Sequence, residues 1–189
     1  METIENDKAH RLLAPRLVAL VGSYGPSGEP NLIPASNVTS VSTEPEQVLV
    51  AIYKDWQTHE NLERGVGFTL SIPNFSQRDA VWRLGDRYSG FRSSSRRDKL
   101  DRCGVGIEYG FSEYGPVLAG ASGWLECQIE ERLNFGGDHG LFVASVIRAA
   151  RNPQVLDADC KPCGELAAVF QVVSNLLATN SPPVELEFL

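Results

Sequence analysis

Arg16-Leu-Val-Ala-Leu-Val-Gly-Ser23, Tyr24-Gly-Pro-Ser-Gly-Glu-Pro-Asn31 and Leu32-Ile-Pro-Ala-Ser36 run on without a break, and their reading decides the fold. The first segment is short and apolar, with Pro15 marking its start. The second is dense in turn formers: Gly28 tolerates positive φ, and Pro26 and Pro30 preset theirs. The third resumes an extended course. Together they read as a β-hairpin with a long loop. Pro34 cannot donate to a ladder, so its strand belongs at an edge.

Working outward, Val48-Leu-Val-Ala-Ile-Tyr53 is a six-residue apolar run, the pattern of a central strand. Thr58 to Arg64 reads as a short helix with Thr58 at its N-cap. Gly67 to Ile72 is a strand that Pro73 ends. Asn74 to Leu84 fits a helix capped by Asn74, and Arg97 to Cys103 fits a short one inside the irregular stretch Gly85 to Gly110. Ser122 to Asn134 and Leu141 to Ile147 are long strands joined by a turn at Phe135 to Gly140. Glu165 to Asn175 reads as a last strand, and Ser181-Pro-Pro183 as an extended tail. Many short strands and few helices predict an all-β (mainly β) fold, a barrel or sandwich in one domain over residues 1–189.

Composition narrows the partners. The 189 residues carry 17 Lys and Arg against 24 Asp and Glu, a net charge of −7. That balance argues against nucleic acid and anionic membranes as general partners, while leaving room for a small anion held in a local pocket. Hydrophobic residues at 42% suit a packed core, and no apolar run reaches the roughly 20 residues of a membrane span. The N-terminus has no apolar signal core, so a cytoplasmic chain with reduced thiols is expected. No phosphate loop, dinucleotide fingerprint, H-E-x-x-H or G-x-S-x-G is present. Cys160-Lys-Pro-Cys163 fits half of a zinc site, a redox dithiol, or two loop thiols with no shared role.

The ordered set Pro15, Val18-Ala-Leu-Val21, Gly28-Glu-Pro-Asn31, Ala35-Ser-Asn-Val-Thr39, Glu44-Pro45, Val48-Leu-Val-Ala-Ile52, Thr58-His-Glu-Asn61, Gly67-Phe-Thr-Leu-Ser71, Asp98-Lys-Leu100, Gly115-Pro-Val-Leu118 and Gly137-Asp-His-Gly140 resembles the flavin reductase-like family, the FMN-binding split barrels that include flavoredoxin. The resemblance covers roughly residues 12 to 150. It implies an FMN-binding oxidoreductase moving hydride or electrons between NADH or NADPH and a flavin or other acceptor. The alternative is a flavoredoxin-like electron carrier with little nicotinamide activity. It also implies a homodimer.

The resemblance places the FMN phosphate at Thr58 and Asn61, near Lys54, where a helix N-terminus adds its field. Thr58 also reads as a plain cap. The flavin ring falls against Ala35, Ser36, Asn37, Val38 and Thr39, with Asn31 close by and Ser71 as a polar contact. Asn37 stands where some relatives carry a larger or aromatic residue. Lys99 offers a cation for the ring, and reads equally as a solvated lysine. His139 is the implied catalytic residue beside the flavin and nicotinamide, or else a turn residue. Phe170 packs near the ring. Lys54, Thr58, Asn61, Lys99 and the nearby Arg96 and Arg97 are thus expected to form one positive pocket on an acidic protein.

Overall fold

The computed structural model describes residues 2–85, 96–161, 163, 168–173 and 176–179. The opening stretch folds as β1 (Arg16–Leu17), β2 (Ala19–Tyr24) and β3 (Pro30–Ala35). β2 and β3 form the expected hairpin, with Ala19 opposite Ala35 and Tyr24 opposite Pro30. Gly28 holds φ at +78° inside the loop, and its N–H donates to Gly25 O at 2.9 Å. At Gly22 a Cβ would sit 2.2 Å from both Pro116 O and Thr69 Oγ1, so only glycine lets the neighbouring strand and loop approach.

The chain continues through β4 (Val38–Thr43), β5 (Glu46–Tyr53), α1 (Gln57–Arg64) and β6 (Gly67–Ile72). A 3₁₀ turn at Phe75–Gln77 runs into α2 (Arg78–Arg83), and α3 is Arg96–Cys103. Then come β7 (Ile107–Glu108), β8 (Val117–Leu118), the long β9 (Gly123–Leu133) and β10 (His139–Arg151), and finally β11 (Phe170–Val173) and β12 (Leu176–Ala178). A further 3₁₀ helix spans Asn6–Leu13.

Seven strands form one antiparallel sheet in the order β3-β2-β6-β9-β10-β5-β4, beside a three-stranded sheet β1-β11-β12 and the pair β7-β8. β3 and β4 are the outer strands of the large sheet, yet only Ser36 and Asn37 separate them in sequence. Its two edges must therefore meet at that end, so the sheet curls into a barrel that stays unzipped between β3 and β4. This is a split barrel.

Two hydrophobic cores share the opening hairpin. Val21, Ile33, Val50, Ile52, Phe68, Leu70 and Phe142 fill the barrel. Leu20, Leu32, Val81, Leu84, Leu100 and Val169 pack on the other face, under α2 and α3. Strand alternation sends successive residues to opposite faces, so Leu20 and Val21 belong to different cores. That double burial explains why the hairpin reads as an unbroken apolar run. Each such side chain contributes about 1.5–3 kcal/mol on burial.

Several sequence expectations are corrected. Val48–Tyr53 lies one strand in from the edge, and its burial alternates instead of being complete. The sequence pattern assigns no element to Val38–Thr43, which form β4 by pairing with β5 from Val50 to Glu46. The Asn74–Leu84 helix begins as a 3₁₀ turn, with Asn74 and Gln77 forming a capping box. His139 and Gly140 belong to β10, opposite Tyr53 and Ile52, so the turn before it is shorter. Pro34 does lie in an edge strand. The expected last strand is found over Phe170–Val173; residues 165–167 and 174–175, the 86–95 stretch and the Ser181-Pro-Pro183 tail lie outside the described residues. No helix among the described residues is long and apolar enough to cross a membrane.

Candidate functional site

The unzipped seam opens into a cleft. Ile33, Pro34 and Ala35 of β3 form one side, Ala51 of β5 and Trp56 another, and Val81, Trp82 and Leu84 a third. The cleft encloses about 190 Å³ and opens to solvent at its mouth, so it is a shallow groove rather than a closed small-molecule cavity, which typically holds roughly 300–1,000 Å³. β3 is paired only with β2, so one row of its backbone N–H and C=O groups faces the open edge. The walls are otherwise apolar, with two indoles offering flat surfaces.

The polar part of the lining is Ser36, Asn37, Gln171 and His139. Ser36 Oγ donates to Gln171 Oε1 at 2.6 Å. Arg16 Nη1 donates to Asn37 Oδ1 at 2.9 Å, and Arg16 stands opposite Gln171 in the β1–β11 register. Ala51 N–H donates to Asn37 O at 2.9 Å, fixing the link between β3 and β4. His139 Nδ1 lies 2.7 Å from Asp138 Oδ1, and its ring packs edge-on to Tyr53 at 5.6 Å between centroids. The hydrogen bond from His139 holds the Asp138 carboxyl below its ordinary range. A carboxylate can only accept, so Nδ1 carries the proton and Nε2 is left to meet a ligand.

Of the residues expected from sequence, Ala35, Ser36, Asn37 and His139 converge on this cleft. Val38 packs against the barrel core, and Thr39 is exposed on β4. Thr58 is not the N-cap: α1 starts at Gln57, with Trp56 at the cap in extended conformation. Thr58 falls in the first turn, fully buried, where Asn31 Nδ2 donates to its Oγ1 at 2.7 Å. Asn61 Nδ2 donates to Ser23 Oγ at 3.0 Å, and Asn31 Nδ2 also reaches Ser23 Oγ at 3.3 Å. These four side chains satisfy one another beneath α1.

The remaining candidates lie elsewhere. Ser71 Oγ accepts from Leu118 N–H at 3.0 Å, tying β6 to β8. Lys54 Nζ donates to Asn134 Oδ1 at 2.9 Å and to Gly137 O, bracing the β9–β10 turn. Lys99 is buried, with Nζ donating to Leu32 O at 3.3 Å. Phe170 stands opposite Leu17 in the small sheet. The expected positive pocket is therefore dispersed: Lys54 and Lys99 sit apart from each other and from the Thr58–Asn61 network, and none of the four lines the cleft. The side chains of Arg96 and Arg97 lie outside the described residues.

Sequence reasoning missed Trp56, Trp82, Gln171 and Arg16. Two of the chain's three tryptophans line the cleft, a composition signal that was available. A lone arginine opening an apolar strand was the other. Elsewhere, burial pushes the Cys127 thiol up to about 12 and also raises that of Cys103, so neither is a ready thiolate. Cys160 and Cys163 are exposed, and among the described residues no group of three or more His, Cys, Asp or Glu could hold a metal.

The profile of the "Flavin reductase like domain" family matches residues 11–163. This chain belongs to the flavin reductase-like family. Among its relatives, an NADH-dependent FAD reductase of Streptomyces globisporus is 36% identical over 125 residues, 66% of this chain and 65% of that protein. The NADH-dependent flavin reductase StyB of Pseudomonas fluorescens is 30% identical over 129 residues, 68% of each chain. Among solved structures, an FMN-binding protein from Thermus thermophilus with bound 1-cyclohex-2-enone superposes at a TM-score of 0.80 with 26% identity, covering 99% of this chain and 98% of that one. The NADH:FAD oxidoreductase of Streptomyces globisporus C-1027, in complex with NAD and FAD fragments, superposes at 0.75 with 25% identity, covering 98% and 100%. Both the curled sheet and its seam are thus those of a flavin reductase-like split barrel.

Proposed function

We propose that this flavin reductase-like protein is an oxidoreductase that holds FMN in the seam cleft and moves hydride or electrons between NADH or NADPH and a flavin or other acceptor. The observation that carries the reading is the chemistry of the cleft walls. A flavin ring is flat and apolar on its faces and polar along one edge. The cleft pairs indole and aliphatic walls with Ser36, Asn37, Gln171 and an unpaired strand edge. The cleft lining fits the flavin ring of that group. The two relatives named as NADH-dependent reductases of FAD or flavin support the same reading.

A bound flavin supplies the hydride and electron chemistry. The chain supplies the rest. Trp56, Trp82 and Val81 would cover the ring faces, and the edge strand β3 would offer its outward backbone groups, to which Pro34 can contribute only a C=O. His139, its Nδ1–H held by Asp138, would accept a hydrogen bond at Nε2. We carry the homodimer, the single domain and the cytoplasmic setting as parts of this proposal.

The test is anaerobic stopped flow of the FMN-loaded protein against NADH and NADPH, followed at the visible absorbance of the ring. Bleaching with either nucleotide is the expected outcome. Stable colour with both would overturn nicotinamide turnover and leave a flavoredoxin-like carrier.

A further inference from the structure

Arg16 is a charged residue at the start of an otherwise apolar strand, and its guanidinium is partly buried. Its Nε is fully buried with no hydrogen-bond partner, while Nη1 donates to Asn37 Oδ1 at 2.9 Å. A guanidinium has donors only, so the Asn37 amide cannot be turned the other way. Its oxygen must face Arg16, and its NH₂ must face elsewhere. Asn37 lines the cleft, and its backbone is fixed by the bond from Ala51. The side chain therefore presents an N–H donor rather than an acceptor. The cation behind the oxygen also polarises the amide and strengthens that donor.

We infer that Arg16 is a positioning residue that locks the Asn37 amide with its NH₂ available to the cleft, making this part of the wall selective for a ligand edge rich in acceptors, such as a carbonyl-bearing pyrimidine ring. This rests on the flavin reading of the same cleft. Arg16 does not line the cleft, so it acts through Asn37. A ligand edge that offers N–H donors at this point meets a donor and is disfavoured. An acceptor edge that gains electron density on reduction is favoured further.

The experiment has two arms. In the first, with no flavin added, the side-chain NH₂ of Asn37 is followed by ¹⁵N NMR. Rigid behaviour in the unaltered protein, lost in Arg16→Met and largely kept in Arg16→Lys, is expected. A rigid amide in Arg16→Met would overturn the locking role whatever the cleft binds. In the second, FMN is titrated by fluorescence quenching. Arg16→Met and Asn37→Ala should each weaken binding about tenfold, and the double variant no more than Asn37→Ala alone. Multiplying effects would overturn the assignment, because Arg16 would then act independently. The midpoint potential of bound FMN should fall in Arg16→Met and largely recover in Arg16→Lys; no change would also count against the polarised donor. Failure of the unaltered protein to quench FMN, with the first arm as expected, would instead overturn the flavin reading and keep the lock.

Discussion

The two ends of β3 carry polar side chains of the same kinds and treat them in opposite ways. At its start, Asn31 joins Ser23, Thr58 and Asn61 in a network sealed under α1. Just past its end, Ser36 and Asn37 join Gln171 and Arg16 at the wall of an open cleft. The first network is buried and ties β2 and β3 to α1. The second lies at the wall of the cleft, where Asn37 meets Arg16 through its side-chain carbonyl oxygen. Residue type did not distinguish them; the reach of neighbouring elements did.

That contrast can be broken at its strongest point by Thr58→Val, which keeps the shape but strands the Asn31 amide. It should destabilise the protein by about 1–3 kcal/mol in urea denaturation, with FMN affinity of the folded protein unchanged. A specific loss of FMN affinity would return Thr58 to the phosphate. On the other side, Ala51→Phe projects into the cleft. It should lower FMN affinity at least tenfold, about 1.4 kcal/mol, while the urea midpoint barely moves. Lys54→Met should change stability by less than about 1 kcal/mol, as for other exposed polar ties, and FMN affinity less than twofold by the same titration. The smallest effect is electrostatic. Asp138 is held below its ordinary range by His139, so their contact is intact above that range and is lost only as pH falls through the lowered value. His139→Ala should move the Asp138 carboxyl upward, toward its ordinary range, in an NMR pH titration.

Much of the barrel was legible in local pattern. Gly67 to Ile72 is a strand from its first residue to its last, because Pro73 stops it and its apolar side chains face the core. β4 was not, since Val38 to Thr43 are mostly exposed and its strand form comes from pairing with β5. The site was half legible. The family's order of segments pointed to Ala35, Ser36, Asn37 and His139, which are close to strand ends that the pattern already marked. Thr58 and Asn61 sit at helical spacing that fits a phosphate or a core contact equally well, and their bonds to Asn31 and Ser23 across the hairpin could not be read from that spacing. Trp56, Trp82, Arg16 and Gln171 come from four distant segments, and nothing local says that they meet.

The opening hairpin has one more consequence. Leu20 and Val21 are adjacent in sequence but seal different cores, so β2 is a party wall between barrel and helical cap. Neither compartment can melt without stripping the other of its lining. Heating should therefore remove both in one cooperative step, with the amides of Leu20 and Val21 among the last to exchange with solvent.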